Sequence, residues 1–316
     1  VNPDKKNLKI VLPGGAGLVG QNLVARLKAR GYQYIVVLDK HQANIAVLKK
    51  VQPDITVEYA DLAEQGTWQD HINDADVVVM LQAQIGGNDY QDFVRNNLDA
   101  TKWILQSIKE SGRARLIHIS SSVVESVADD FYTNTKKLQE RMVLDSGIVC
   151  PILRPTLMFG WFDRKHLGWL ARFMQKVPVF PIPGNGRYMR QPLYAGDFCE
   201  VIISCVENVA HQGIYNISGH EKIDYVDMIH TIKKATHAPA WIVHIPYSLF
   251  YNLLWLWAVF DKNPPFTTQQ LVALCAKDEF EVMDWPTVFG WPYTPFAQAV
   301  DETFNHPQYS QVVLEF

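Results

Sequence analysis

Residues 8–20 read LKIVLPGGAGLVG: an apolar run, glycines at positions 14, 17 and 20, and then the opening of a helical pattern. Each glycine has its own physical task. Gly14 permits a tight turn at the end of a strand, Gly17 lets the backbone approach a pyrophosphate, and Gly20 lets the helix lie close on the sheet. A helix that starts there offers unpaired N–H groups and a partial positive charge to phosphates. A glycine triplet alone is weak evidence. The strand before it, the helix after it and Asp39, at the end of the next apolar run YIVVLD, together make it a dinucleotide-binding loop. A carboxylate at Asp39 accepts both hydroxyls of an adenosine ribose and repels a 2′-phosphate, so NAD is favoured over NADP. Its other reading is a cap for the following helix, and Lys40 and His41 keep NADP open. Asp61, in EYADL, meets the adenine edge or is a plain loop carboxylate.

Outward from the loop, apolar runs suited to buried strands recur at 8–12, 34–38, 55–59, 77–81, 115–119 and 148–153. Helical spacing fills 18–30, 91–111 and 133–146 between them. This alternation predicts an α/β fold, a Rossmann-type doubly wound parallel sheet with the strands' C-terminal ends along one ligand-binding edge. Beyond about residue 154 prolines and aromatic residues accumulate, and shorter helices are expected at 197–207, 224–236, 247–260, 267–276 and 296–304. The expected division is a dinucleotide-binding domain over 1–154, to which later segments return, and a smaller, interleaved, mixed C-terminal substrate lobe over 155–316.

The 316 residues are 48% hydrophobic and 20% charged, the proportions of an ordinary folded protein, so disorder as the dominant state is excluded. With 29 basic and 33 acidic residues and no dense basic run, nucleic acid is not an expected partner. Cys150, Cys199, Cys205 and Cys275 have no metal or disulfide spacing, and no His-rich metal motif occurs; no metal is expected, and a reducing cytosol fits best. Residues 1–8 are polar, so no signal peptide is expected. The most apolar stretch is 241–260, but its proline-free part, 247–260, is too short to cross a bilayer. It reads as a buried core helix, with a membrane-surface or partner-binding helix as the alternative.

Tyr132 and Lys136 form Y-x-x-x-K, one turn apart on one helix face. An ammonium near the phenol and the nicotinamide ribose would lower the tyrosine's pKa and make it an acid/base group near neutrality. The pattern is common by chance, but here it follows the fifth strand, whose end carries Ser120, Ser121 and Ser122. His118, within that strand, reads as a satisfied buried histidine.

In their order the glycine loop, Asp39, Asp61, VVVMLQA at 77–83, Asn97, ISSS at 119–122, Tyr132/Lys136, LRPTLMFG at 153–160 and RQPLYAGD at 190–197 resemble the extended short-chain dehydrogenases of the nucleotide-sugar epimerase/dehydratase family. The resemblance implies that Ser122 and Tyr132 contact the sugar hydroxyl that is oxidised and that Lys136 holds the nicotinamide ribose. It further implies that Leu18, Val19, Leu62, Leu81, Gln82, Ala83, Asn97, Ser120 and Pro155 line or organise the cofactor site. Arg190 resembles the arginine that meets the substrate's diphosphate, and Asp197 resembles a structural acid at a helix start. Arg187, in the GNGR turn, either reaches a substrate phosphate or belongs to a surface hairpin.

The departures carry information. Pro13 replaces the usual threonine, and only nine residues separate Ser122 from Tyr132, a shortened loop. That loop, QPLYAGD and the apolar helix are similar to the atypical branch related to the 39-kDa subunit of respiratory complex I, whose members can bind cofactor without evident turnover. Val123 and Val124 stand where the dehydratases carry their acidic pair, which counts against elimination of water. The expected activity is therefore an NAD-dependent epimerase of a nucleotide-diphosphate sugar, acting as a homodimer. A ketosugar reductase and a non-catalytic cofactor-binding scaffold are the alternatives. The aromatic residues of the last third, Trp255, Trp257, Trp285 and Trp291, are expected in the core and interface, and 284–296 as a tail packed over the cap.

Overall fold

The computed structural model describes residues 6–261, 267–275 and 283–314. The first half alternates as β1 (Ile10–Pro13), α1 (Leu18–Ala29), β2 (Ile35–Asp39), α2 (Gln42–Val51), β3 (Thr56–Tyr59), α3 (Trp68–Asn73) and β4 (Val77–Met80). It continues through α4 (Tyr90–Phe93), α5 (Ala100–Ser111), β5 (Arg115–Ile119), α6 (Phe131–Asp145) and β6 (Pro151–Pro155). Next come β7 (Met158–Phe159), α7 (Leu167–Lys176), β8 (Val179–Pro183), β9 (Met189–Arg190), β10 (Leu193–Tyr194), α8 (Ala195–Glu207) and β11 (Gly213–Ile217). The last elements are β12 (Ile223–Asp224), α9 (Tyr225–Thr236), β13 (Trp241–Ile245), α10 (Tyr247–Phe260), α11 (Thr268–Cys275), α12 (Trp285–Phe289) and α13 (Phe296–Asn305).

Seven strands form one parallel sheet in the order β11-β6-β5-β4-β1-β2-β3. The uninterrupted apolar runs are what burial on both faces requires, and β1 and β4 are wholly buried. The chain leaves β1 toward β2 and β3, then returns to its other side as β4. The β1/β4 boundary is thus the switch point where such sheets bind ligands. One core cluster, with α1 and α8, covers one face, and a second, with α5 and α6, covers the other. The smaller lobe has its own core from α7, β8, α9, β13 and α13.

The expected strands all form, each displaced by no more than a few residues; β11 was not foreseen. Four expectations are corrected. The stretch 91–111 is not one regular helix, because a π-turn at Val94–Asp99 separates α4 from α5. Residues 247–260 do form a helix, but only Leu254 on it is buried, so it is not a core element; Trp255 and Trp257 lie in solvent. Trp285 is fully buried in the core beneath the parallel sheet and donates to Ser218 O at 3.0 Å, so this part of the tail packs on the sheet domain rather than the cap. His118 is buried without the partners expected of it. Neither ring nitrogen has a hydrogen bond among the described residues, and burial holds its pKa well below 6.5, so it is neutral.

Asp197, foreseen as a helix-start acid, lies in the first turn of α8 but fastens a distant segment. It accepts from Thr294 N at 2.9 Å and Thr294 Oγ1 at 2.6 Å. Burial pushes its pKa up from 3.8 to about 6, with the Thr294 bonds opposing. A carboxyl raised in the fold contributes stability that is complete below its unfolded pKa and lost as pH rises through its folded one. Denaturant titration from pH 4 to pH 7 should therefore show a decline of at most about 3 kcal/mol assignable to this group. Asp197→Asn should flatten that slope; an unchanged slope would remove Asp197 from the account.

Candidate active site at the sheet edge

The glycine loop is built by exclusion of side chains. Gly14 has φ +77°, and a Cβ on it would overlap the backbone of Gln82 at the end of β4. A Cβ on Gly20 would overlap the Gly15 carbonyl, so α1 packs directly on the loop. Gly17 differs: its Cβ would meet only Gly14 O, at 3.7 Å. The chain itself leaves space there. Gly17 is also the N-cap of α1, with no capping side chain and no acid in the first turn. Both facts fit an approaching pyrophosphate.

Asp39 closes the loop from the side. Its Oδ2 accepts from Ala16 N at 3.0 Å and its Oδ1 from His41 N at 2.9 Å. The cap of α2 is His41, which accepts from Asn44 N, so the capping alternative for Asp39 falls away. Lys40 is drawn to Asn96 Oδ1 (2.6 Å) and toward Asp61 (3.8 Å). Asp61 is occupied by Arg95 at 2.8 Å and by Ala63 N at 3.1 Å. Burial raises its pKa, but these bonds win and hold it below the ordinary value. The Asp61 side chain is thus an ion-pair partner of Arg95. Leu62 is likewise a core residue of the second cluster.

At the other side of the switch point, α6 begins at an Asp130 cap that accepts from Thr133 N at 2.9 Å. This sets Tyr132 in the first turn and Lys136 one turn further on. The Tyr132 phenol hydrogen-bonds Ser121. The serine beside the phenol is therefore Ser121, not Ser122. Ser121 caps the short 3-10 turn Ser122–Glu125, which holds its hydroxyl at the edge, while Ser122 is carried into the turn. Ser120 points elsewhere and donates to Glu140 Oε2 at 2.5 Å.

Lys136 is almost completely buried. Its Nζ donates to Ile119 O at 3.1 Å and to Gln139 Oε1. Burial pulls its pKa down to about 7, with Glu140 opposing. The Tyr132 phenol shifts opposite to the sequence expectation: desolvation raises its pKa and the Ser121 bond only partly offsets this. An amine tied to Ile119 O and itself near neutrality does not supply the expected field.

A polar layer supports this pair; its Gln82 and Asn97 were expected from the sequence, while Thr101, Thr135, Gln139, Glu140 and Arg154 were missed. Gln139 Nε2 donates to Thr101 Oγ1 (2.9 Å), which also receives Gln82 Nε2 (3.1 Å) and donates to Asn97 O (2.7 Å). Asn97, in the π-turn, is fully buried; its amide accepts from Gln84 N (2.7 Å) and donates to Thr135 Oγ1 (2.9 Å). Its side chain thus braces the loop after β4 against α6. Glu140 is gripped by Arg154, whose other nitrogen reaches Glu125 at 2.6 Å. Helical spacing held the signal for some of this: Glu140 is one turn from Lys136, and Thr101 one turn from Asn97. Leu18 and Val19 open α1, Leu81 and Ala83 follow β4, and Pro155 ends β6, all at this same edge.

The two arginines of the cap diverge. Arg187 is exposed and clamped by Asp224 and Asp227, both at 2.9 Å, which raise its pKa. It is a hairpin clasp, and the substrate role is withdrawn because both acids already hold its guanidinium. Arg190 is half-buried on β9, paired with β12, and donates to Met189 O at 3.2 Å. No cluster able to hold a metal occurs among the described residues.

A model of the NAD dependent epimerase/dehydratase family matches residues 10–218. The chain belongs to that family. NAD is therefore its cofactor, and the open space at Gly17 and the Asp39 carboxylate fit it. The chain is 22% identical over 278 residues to UDP-N-acetyl-alpha-D-glucosaminuronate decarboxylase of Bacillus cytotoxicus, covering 77% of this chain and 85% of that protein. It is 26% identical over 344 residues to the decarboxylating sterol-4-alpha-carboxylate 3-dehydrogenase of Mus musculus, covering 96% and 93%. With the mitochondrial NADH dehydrogenase (ubiquinone) 1 alpha subcomplex subunit 9 of Dictyostelium discoideum it shares 24% over 229 residues, 68% and 61% of the two chains. Among solved structures, UDP-glucuronic acid 4-epimerase from Bacillus cereus in complex with NAD superposes with a TM-score of 0.65 at 24% identity, over 76% of this chain and 86% of that one.

The glycines separate folding from cofactor binding. Gly17→Val should leave the thermal midpoint within a few degrees and weaken NAD binding at least about ten-fold by calorimetry, since only the ligand contests that space. Gly20→Ala should lower the midpoint markedly. Tight NAD binding by Gly17→Val would contradict the placement.

Proposed function

We propose that this chain is an NAD-dependent epimerase of nucleotide-diphosphate sugars, with a UDP-sugar as substrate. One observation carries the reading: the Tyr132 phenol, bonded to Ser121, stands at the sheet edge with the Lys136 amine one turn behind it. Bound NAD supplies a hydride acceptor that later returns the hydride. Tyr132 Oη, as the phenolate, takes the proton of the sugar hydroxyl as that carbon is oxidised, and Ser121 Oγ holds the same oxygen. Lys136, with a pKa of about 7, gains or yields a proton near neutral pH, while the Ser121 bond is what favours the ionised phenol. Tyr132 then returns the proton after the keto sugar has presented its other face, so the carbon is inverted without net oxidation. Asp39 is assigned to the adenosine ribose, Lys136 to the nicotinamide ribose and Arg190 to the substrate's diphosphate, where a guanidinium suits two phosphate oxygens.

A second reading is a cofactor-binding scaffold. It is favoured by the upward shift of Tyr132, the commitment of Lys136 to Ile119 O and Gln139, and the similarity to the complex I subunit. The buried free thiols Cys150, Cys199 and Cys205 suit work in a reducing cytosol. Exposed Phe131 and Leu138 on α6 support a homodimer through that helix.

UDP-glucuronic acid incubated with the protein and catalytic NAD should give a product of equal mass and inverted stereochemistry by NMR. Tyr132→Phe should lower kcat about a thousand-fold with NAD affinity unchanged. Retention of cellular function by Tyr132→Phe, with its loss in Gly17→Val, would establish the scaffold instead. Leu138→Lys should convert the dimer to a monomer in light scattering.

A further inference from the structure

We propose that α10 is a monotopic membrane anchor that seats the protein on a phospholipid bilayer. From residue 235 to residue 260 the sequence contains no Asp, Glu, Lys or Arg. In a soluble protein such a run belongs in a core, yet on α10 only Leu254 is buried. Phe260 is 83% exposed, Val259 63%, Trp255 60% and Trp257 51%, and Leu249, Leu253 and Leu256 are each about half exposed.

The distribution around the axis selects the occupant. With Tyr247 and Tyr251, which are also exposed, these side chains cover roughly 280° of the circumference at about 100° per residue. A groove on another protein, or a second copy of this helix, covers one stripe and leaves the other faces wet. An isotropic apolar medium covers all of them. The charge pattern agrees, since an uncharged helix complements an uncharged acyl layer and the middle of the helix satisfies its own backbone bonds.

Length fixes the mode. Fourteen residues reach about 21 Å, short of the roughly 30 Å of hydrocarbon, so the helix lies within one leaflet. No described helix is long and apolar enough to cross a membrane. Tyr247, Tyr251, Trp255 and Trp257 carry the polar-tipped rings that settle at the headgroup boundary. The strand feeding the helix extends the same surface, with Trp241 76% exposed opposite Val179 on β8.

The test is flotation of the full chain with extruded vesicles of pure phosphatidylcholine, compared with vesicles containing phosphatidylserine. Wild type should float with both, and 0.5 M salt should not release it. Leu256→Glu combined with Trp257→Glu should lower the bound fraction at least ten-fold while the thermal midpoint and NAD binding stay as in wild type. Wild type remaining in the aqueous fraction, binding confined to anionic vesicles and abolished by salt, or equal flotation of the double variant would each overturn the proposal. So would failure of wild type to float together with loss of self-association in the double variant, which would assign the helix to a second copy of the chain.

Discussion

The site depends on how closely β1 and β4 can end side by side. Gly14 touches the Gln82 backbone where any side chain would intrude, and that contact sets the distance between the nucleotide loop and the rest of the edge. From Gln82 a chain of buried hydrogen bonds runs through Thr101 and Gln139 to Lys136. Such bonds are each worth about 1 kcal/mol net, but leaving one partner unmatched costs about 1–3 kcal/mol. The glycine loop and the buried Lys136 amine are therefore one mechanical unit. Movement of either strands polar atoms in the other.

Burying Lys136 is unfavourable, and the structure spends its neighbours on that problem. Ile119 O and Gln139 take two of its donors, while Glu140 supplies a field that keeps its pKa from falling further. Glu140 would itself be an isolated buried carboxylate without Ser120 and Arg154. Breaking such a pair is far more costly than its net worth in the intact fold. Ser120 thus bonds the Glu140 carboxylate and Ser121 the Tyr132 phenol, so neighbouring hydroxyls on one strand end have different partners.

Periodicity and glycine spacing carried the parallel sheet, because burial on two faces leaves an unmistakable apolar run, and they carried the loop, because only glycine solves its steric problem. What they could not carry was register at the ends of elements. Whether Ser121 or Ser122 meets the phenol is decided by which of them caps a four-residue 3-10 turn, a detail invisible in the run ISSS. The π-turn around Asn97 adds one residue to a helical pattern whose amphipathic spacing looks regular. Partners distant in sequence were equally hidden: nothing near Asp197 announces Thr294, and nothing near Arg187 announces Asp227. For 247–260 the failure is of another kind. Apolar composition states that a helix avoids water but not what it meets instead.

The cap is tied to the glycine loop's own helix through Arg26 and Asn22. Arg26 of α1 reaches Tyr194 Oη at 3.0 Å and Glu302 at 3.1 Å, and its guanidinium lies 4.1 Å from the Trp161 ring centroid. Asn22, one turn earlier, donates to Trp161 O at 2.9 Å. The same α1 that presents its N-terminus to phosphates therefore holds β10 and α13 of the second half by its other end. A cap fastened in this way has little freedom to open along α1, since withdrawal would expose a buried cation and its stacked ring together.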